Sequence, residues 1–593
     1  MKAKSLALFV VPSLLLSSCT FLFGVKSYEK DINVYYIDRL DSERNLSSGY
    51  QTTVKARFVS GQDHVPYLTL SQYASLYEKH FASNVTSKIE KSSFDVAWTI
   101  EREDNGEKVP VFVCAINYFT SEIVVAGSIS SGYASGDDPR DLEALNYGMK
   151  SETTGKYLTD KTYATFKYSG YGFTHFNSNN DHYYPLGLLD ITLSDSSNIY
   201  FTYNYSHILS TRDVDNYATV QYVDNGQTYT FNSQMESNKP ADTIPSYLRD
   251  YNSHLFLYLM DHFYGLKGQK GISSMAKYFK NQGVYSNLFS SEDITRTWAF
   301  ADGLAMLDDN HTALVSVNKT WGDPNYSLIR RYGEKCKARS ETSGTLKRYR
   351  DAMYESIHAA PESDIIYSQD GKTAFFSFDS FKFGSSKQVF NEDKSIKDTA
   401  KNFDSFFMLI DAFNRMKAAG TVENVILDIS LNGGGTVGIM IKLLALISED
   451  NYGYVCFYDD TSSQVAEYKA KVDINNDKQY DTSDCFGDDF NFYILTSDCS
   501  FSCGNAFPCV AQIKKSAKII GQKSGGGECA VSIHYLPNSE YVYHSSNLHL
   551  GYFNEQENKF TGFENGATPD IELPINANFY SIETLNTAIT NAQ

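Results

Sequence analysis

The sequence predicts an α/β C-terminal domain, preceded by a helical segment and a β-rich N-terminal region. Three observations carry this reading. From Thr373 onward, apolar strand-like runs alternate with helix-like ones, the signature of a sheet covered on both faces. Between Pro245 and Leu307, apolar residues recur at helical spacing. Before about residue 240, aromatic and β-branched runs are punctuated by turn residues, in a chain holding 44 Tyr and 38 Phe.

The elements follow in order. Leu70 to Phe81 has the pattern of a helix. Asp104-Asn105-Gly106 and Asp224-Asn225-Gly226 each sit between β-rich runs and predict hairpins. Asn198 to Ile208 (NIYFTYNYSHI) reads as a strand. His175 and His182 read as structural or solvent-facing. Pro245 to Gly265 and Ser291 to Leu307 are predicted helices, the second capped by Ser291. Then come a strand at 373–378, a helix at 403–419, a buried strand at 422–429 and a helix from Gly435 to about Ile447. A strand at 492–496, a helix at about 504–516 and a strand at 517–521 repeat the theme. The chain divides accordingly into 1–18, 19–240, 241–370 and 371–593.

Residues 1–18 read as an address. Lys2 and Lys4 precede an apolar run, Leu6 to Leu16, that is short for a bilayer span. The run ends in Leu16-Ser17-Ser18-Cys19, which resembles the lipobox of bacterial lipoproteins. The resemblance implies a signal peptide cleaved before Cys19, acyl (palmitate) chains on that residue, and a body tethered to a membrane outside the cytoplasm. The net charge of −19 argues against a nucleic-acid partner, which needs clustered Lys and Arg. The eight later cysteines show no zinc-like spacing with histidine, and both disulfides and buried thiols fit them.

Four short segments carry chemistry. Phe492 to Thr496, then Ser497 to Ser502, then a helix place Ser502 at a helix N-terminus. There, free N–H groups and the helix dipole favour developing negative charge. Ser502 as a mere N-cap is the plain alternative. The strand LDIS followed by Asn432-Gly433-Gly434-Gly435 puts bare backbone N–H groups at the carboxyl end of a sheet. Without a following Lys-Ser/Thr it is no P-loop. His311, in Asp308-Asp309-Asn310-His311-Thr312, supplies an imidazole. Glu564, in Phe563-Glu564-Asn565-Gly566, supplies a carboxylate. Cys503 is a minor alternative nucleophile.

Together these segments resemble the tail-specific and tricorn-like serine peptidases, family S41. LDISLNGGG resembles that family's LDLRxNxGG element, SFSCGNAF its nucleophile segment, and GATPDIEL its terminal G-I-x-P-D-I. Lys518-Ile519-Ile520-Gly521 is similar to the strand that follows the nucleophile. The resemblance covers roughly 245–575 and implies a ClpP/crotonase-like α/β fold. Its lysine branch uses a Lys in an F-G-K-G turn. Here Ser524-Gly525-Gly526-Gly527-Glu528 stands in that region, and Lys523 falls several residues early. The histidine branch takes its base from a D-G-H-T segment and a Glu from E-N-x-G-x-x-P-D, which MLDDNHTAL and FENGATPD resemble.

The family therefore implies Ser502 as nucleophile, His311 as base and Glu564 as its orienting carboxylate, with Glu555 and Glu557 as fallbacks. The oxyanion donors come from Gly434, Gly435 and Cys503. Asn310 and Asn505 depart from the family pattern, and FENGATPD is one residue short. No PDZ-like stretch is readable between His311 and Thr373. The expected activity is a surface-anchored serine endopeptidase that needs no metal or organic cofactor and acts on peptide or protein substrates. A ligand-binding lipoprotein on the same fold and an envelope esterase are the rival readings.

Overall fold

A computed structural model describes residues 25–37, 51–132, 145–159, 162–197, 199–211, 221–224, 227–230, 244–316, 333–537 and 540–592. The lipobox, Cys19 and the Asn225-Gly226 turn lie outside the described residues.

The centre of the C-terminal part is a six-stranded sheet in the order Ile366–Tyr367, Thr373–Ser377, Asn424–Asp428, Asn491–Thr496, Lys518–Gly521 and Ile571–Glu572. All neighbours run parallel except the first pair. Successive side chains enter opposite cores, as strand alternation requires. Phe376, Val425, Leu427, Phe492, Ile494 and Ile519 face helices Ser405–Ala419, Val437–Leu446 and Cys503–Lys514. Phe375, Ile426, Tyr493, Leu495 and Ile520 face Leu346 and Tyr354 of helix Glu334–Ser356, and Leu585 and Ile589 of helix Ile582–Asn591. Both faces are thus dry, which is why these strands read as continuous apolar runs. The 405–419 helix is bounded by its sequence: the Asp404 side chain accepts the Phe406 N–H, and Gly420 closes it at φ 74°.

A second sheet of seven strands is built around the long strand Glu540–Asn554. It pairs with Ala313–Ser316, just after His311, and with Gly453–Asp459. Beyond them, Gln464–Val472 pairs along its whole length with Met149–Tyr157 of the N-terminal region. A strand from before residue 240 therefore completes a sheet of the C-terminal part. The rest of the N-terminal region forms a five-stranded antiparallel sheet, a two-stranded pair and another seven-stranded sheet. Much of it shares one core with helices Ser246–Phe263 and Asp293–Met306.

Several expectations are corrected in detail. The helix at 70–81 ends at Ser75 and is followed by a short 3-10 turn at Glu78–His80. The run at 198–208 holds two strands, Tyr200–Tyr203 and Ile208–Thr211. Asn204 Oδ1 accepts the Ser206 and His207 N–H groups and turns the chain between them. Ser291 does not cap its helix, which begins at Asp293 after Glu292 with no side-chain cap. The Asn105-Gly106 hairpin forms as predicted, both residues having positive φ.

Among the described residues, no helix is long and apolar enough to cross a membrane. The eight cysteines after Cys19 are all free and buried.

Candidate active site

Strand Asn424–Asp428 delivers the glycine turn. Asp428 is fully buried. One of its oxygens accepts the Ser430 N–H and Oγ, the other the Ser377 hydroxyl, and the Arg350 guanidinium lies 3.5 Å away. Arg350 also grips Asp379 with two 2.6 Å bonds. Asn432 shapes the next residues. Its Nδ2 donates to Phe378 O, its Oδ1 accepts the Gly434 N–H at 2.9 Å, and its backbone carbonyl accepts the Phe501 N–H. Gly434 and Gly435 take φ of 113° and 136°, a region L-residues rarely enter.

Strand Asn491–Thr496 delivers the nucleophile turn. Ser502 sits at φ 58°, ψ −125°, directly before helix Cys503–Lys514. A non-glycine residue in such a conformation costs on the order of 1–3 kcal/mol and is held only by its surroundings. Here the Ser502 N–H donates to Gly526 O, while its carbonyl starts the helix by accepting the Asn505 and Ala506 N–H groups. A Cβ on Gly434 would lie 2.7 Å from Ser502 Cβ, and one on Gly504 would lie 2.3 Å from Asn432 O. Both glycines permit close approach of the two turns.

The Gly434 N–H, expected as an oxyanion donor, is committed to Asn432. Gly435 and Cys503 donate no backbone hydrogen bond among the described residues and remain available. The Cys503 thiol is buried and donates to Gly435 O at 3.1 Å. Burial pushes its pKa up to about 12, overriding the lowering expected at a helix N-terminus and disfavouring the thiolate that a nucleophile needs.

His311 follows helix Asp293–Met306 in a loop shaped by Asp309. Asp309 Oδ1 accepts the His311 N–H, and Oδ2 accepts the hydroxyls of Thr312 and Ser545. The imidazole lies 4.6 Å from the Phe501 ring, centroid to centroid. Arg339 covers the same ring at 4.5 Å and donates to Gly525 O. His311 Nδ1 is buried without a partner among the described residues. Burial holds the His311 pKa below the ordinary histidine value, with Arg339 pushing the same way and Asp309 opposing.

Glu564 lies against the Gly525-Gly526-Gly527 turn. Its Oε2 accepts the N–H groups of Gly527 and Glu528 at 3.0 and 3.1 Å. Burial raises its pKa, against the pull of those donors. Among the described residues no hydrogen bond joins Ser502, His311 and Glu564. The structure brings His311 beside Phe501, the residue preceding Ser502, and leaves the carboxylate on backbone donors. The fallbacks lie elsewhere: Glu555 and Glu557 are exposed at a hairpin tip, Glu555 pairing with Lys156. Lys523 is exposed as well.

Residues to which sequence reasoning gave no role support this arrangement. Asn505, where the family pattern has glutamate, donates to Phe563 O and accepts the Ser524 hydroxyl, which itself accepts the Ala567 N–H. It thereby ties the nucleophile helix to the Glu564 loop. Glu528 Oε2 accepts the Glu564 N–H, and its Oε1 takes His549 Nδ1 at 2.8 Å and Gln269. With Cys529 Sγ 3.5 Å from the same nitrogen, Glu528 and His549 have the donor types of a metal site, yet they already satisfy one another. A cavity of about 820 Å³ lined by Phe166, Asp195, Ser532 and Asn547 includes none of Ser502, His311 or Glu564.

The fold and site together define an α/β domain that presents a strained serine at the carboxyl end of a parallel sheet, facing a glycine turn. Residues 392–573 match the model of Peptidase family S41, so this part of the chain is an S41 peptidase domain. The match includes Ser502 and Glu564; His311 lies before it. No curated protein matches the chain. Among solved structures, a protein from Parabacteroides merdae described provisionally as a peptidase is 17% identical over 58% of this chain and 96% of its own, with a TM-score of 0.41. Mature CPAF is 11% identical over 58% of this chain and 98% of its own, with a TM-score of 0.36. The tricorn protease is 10% identical over 95% of this chain and 58% of its own, with a TM-score of 0.31.

Proposed function

We propose that the protein is a serine endopeptidase in which Ser502 is the nucleophile and His311 the general base. The observation that carries this reading is Ser502 itself, held in a strained conformation at a helix N-terminus against Gly434. In this mechanism Ser502 Oγ attacks a peptide carbonyl as its proton passes to His311, which burial keeps neutral and able to accept it. The oxyanion is bound by the open N–H groups of Gly435 and Cys503. The leaving amine takes the proton from His311, and water activated by the same imidazole hydrolyses the acyl-enzyme. Glu564 is the carboxylate that orients His311, for which it must turn from the Gly527 and Glu528 N–H groups. Acyl chains on Cys19 tether the enzyme to a bacterial membrane outside the cytoplasm, at the cell surface or in the periplasm.

Hydrolysis of a quenched peptide library, compared with a series of acyl esters, tests the substrate class. The proposal expects peptide turnover that Ser502→Ala abolishes. Ester turnover alone would replace it with an esterase. A second reading, a ligand-binding protein without catalysis, is favoured by one observation: Glu564 is bonded to backbone donors and not to His311. Absence of turnover on either class, in folded protein, would support that reading. For the anchor, incorporation of an alkynyl fatty acid that Cys19→Ala removes is expected, and unchanged incorporation would refute it.

A further inference from the structure

Between strands Gln464–Val472 and Asn491–Thr496 the chain runs Asp473-Ile474-Asn475-Asn476-Asp477-Lys478-Gln479-Tyr480-Asp481-Thr482-Ser483-Asp484. Counting from Asp473, oxygen-bearing side chains stand at the first, third, fifth, ninth and twelfth places. That is the donor spacing of a calcium-binding loop whose seventh residue offers its backbone carbonyl. Lys478 holds the sixth place, where such loops use glycine for a sharp turn, and its φ is 67°.

The loop is folded around its own centre. Asp473 Oδ2 accepts the Lys478 N–H at 3.1 Å, Asn475 Oδ1 the Asp477 N–H at 2.9 Å, Asp477 Oδ1 the Gln479 N–H at 2.7 Å, and Asp484 Oδ1 the Ile474 N–H at 3.0 Å. Carboxylate oxygens of Asp473, Asp477 and Asp484 thereby come within 4.8 Å of one another.

Turns of this kind also occur without any ion. The observation that points to a ligand is the other oxygen of Asp473. Asp473 is 4% exposed, and its Oδ1 is buried with no hydrogen-bond partner among the described residues. A buried carboxylate oxygen left without a donor is costly. Asp484, fully buried, stands beside it, with carboxylate oxygens of the two within 4.8 Å of each other. A cation between the two would satisfy the orphan oxygen and cancel the repulsion.

We propose that the Asp473–Asp484 loop binds Ca²⁺ through the side chains of Asp473, Asn475, Asp477 and Asp484 and the carbonyl of Gln479, with Asp481 contributing directly or through water. The all-oxygen donor set suits a hard cation and not zinc. A flexible ring of this many donors suits Ca²⁺ better than Mg²⁺, which demands octahedral geometry and keeps its waters. The site also has a place in the fold. The Asp473 N–H donates to Gly148 O at 2.8 Å, just before strand Met149–Tyr157. Two residues beyond Asp484, Phe486 packs on Phe413 in the peptidase core. Ca²⁺ would fasten the N-terminal strand and the segment leading to the nucleophile strand to one point.

The test uses the full-length protein stripped with a chelator. Equilibrium dialysis with ⁴⁵Ca²⁺ should find one ion per chain, and saturating Ca²⁺ should raise Tm by about 2–4 °C where Mg²⁺ gives a smaller shift. Tb³⁺ in place of Ca²⁺ should show luminescence sensitised by Tyr480. Asp473→Asn and Asp484→Asn should lose all three responses, and the exposed control Asp398→Asn should keep them. Lys478→Gly, which restores glycine and removes a cation, should bind Ca²⁺ more tightly. No bound ion on the wild-type protein would overturn the proposal, whatever the variants do. Equal responses in wild type and Asp473→Asn would overturn it too, by placing the ion elsewhere.

Discussion

The imidazole of His311 lies 4.6 Å from the ring of Phe501, the residue that precedes Ser502. His311 is thus positioned against the backbone neighbour of Ser502, with Arg339 on the same ring. The Phe501 ring also abuts Gly527, where an added Cβ would meet it at 2.5 Å. Phe501→Ala removes the surface on which His311 rests. Its reaction with a fluorophosphonate should slow about tenfold or more, with little change in the fold by circular dichroism. An unchanged rate would show that His311 is positioned by the Asp309 turn alone.

The pH dependence of acylation should report the environment of His311. Burial lowers its pKa, so the imidazole stays neutral to a lower pH than a free histidine. The acid limb of the rate profile should therefore have its midpoint below about 6.5. Arg339 contributes to the lowering, so Arg339→Gln should move that midpoint upward. A downward move would contradict the assignment of His311 as the titrating base.

Glu564, the proposed orienting carboxylate, and Asp309, which shapes the His311 loop, make separable predictions. If Glu564 turns to orient His311, Glu564→Gln should slow acylation by about 10²–10⁴-fold, as loss of an orienting carboxylate does. Asp309→Asn leaves one acceptor oxygen where two hold the His311 N–H and the hydroxyls of Thr312 and Ser545, and should mainly lower Tm. A mild effect of Glu564→Gln on rate, with a large loss of Tm, would make Glu564 a brace for the Gly527-Glu528 turn.

Beneath the glycine turn, Arg350 and Asp428 are both buried, at 3% and 0% side-chain exposure. Removing one partner leaves a buried charge uncompensated. Asp428→Ala should destabilise the protein by about 3–5 kcal/mol, read from urea unfolding of wild type and variant side by side. A loss under about 1 kcal/mol would mean that the Arg350–Asp379 bonds suffice.

His549 gives a stability signature away from the chemistry. Burial disfavours its charge, but the Asp460 carboxylate, Cys529 and Glu528 outweigh that and push its pKa up to about 12. Between the unfolded value of about 6.5 and that raised value, the folded state holds a proton that the unfolded state lacks. The stabilisation is complete below the unfolded value and is lost as pH rises toward the folded one. The slope is about 1.4 kcal/mol per pH unit. His549→Gln should flatten that slope above pH 7, measured by urea unfolding across the range.

The four central strands of the parallel sheet, the helices on one of its faces and the two turns at its end were legible because those strands are buried on both faces and each turn carries its own residue signals. The place of Ser502 at a helix N-terminus was legible for the same reason. The state of Glu564 was not, because the backbone donors that hold it, Gly527 and Glu528, lie about 36 residues away. Nor was the pairing of Met149–Tyr157 with Gln464–Val472, since strand pairing over such a distance leaves no local mark. Spacing between cysteine and histidine says nothing of oxygen donors. The Asp473–Asp484 pattern therefore gains meaning only once Asp473 Oδ1 is seen buried and unpaired. The aromatic run at 198–208 hid a turn because Asn204, which makes it, sits among residues that all favour strands.

The most direct test is covalent. Fluorophosphonate labelling of the chain begun near Ser27, with the adduct located by mass spectrometry, should give one modified residue, Ser502. The modification should fall to background in His311→Ala. No adduct on folded protein, or an adduct that persists in His311→Ala, would contradict an activated Ser502–His311 pair.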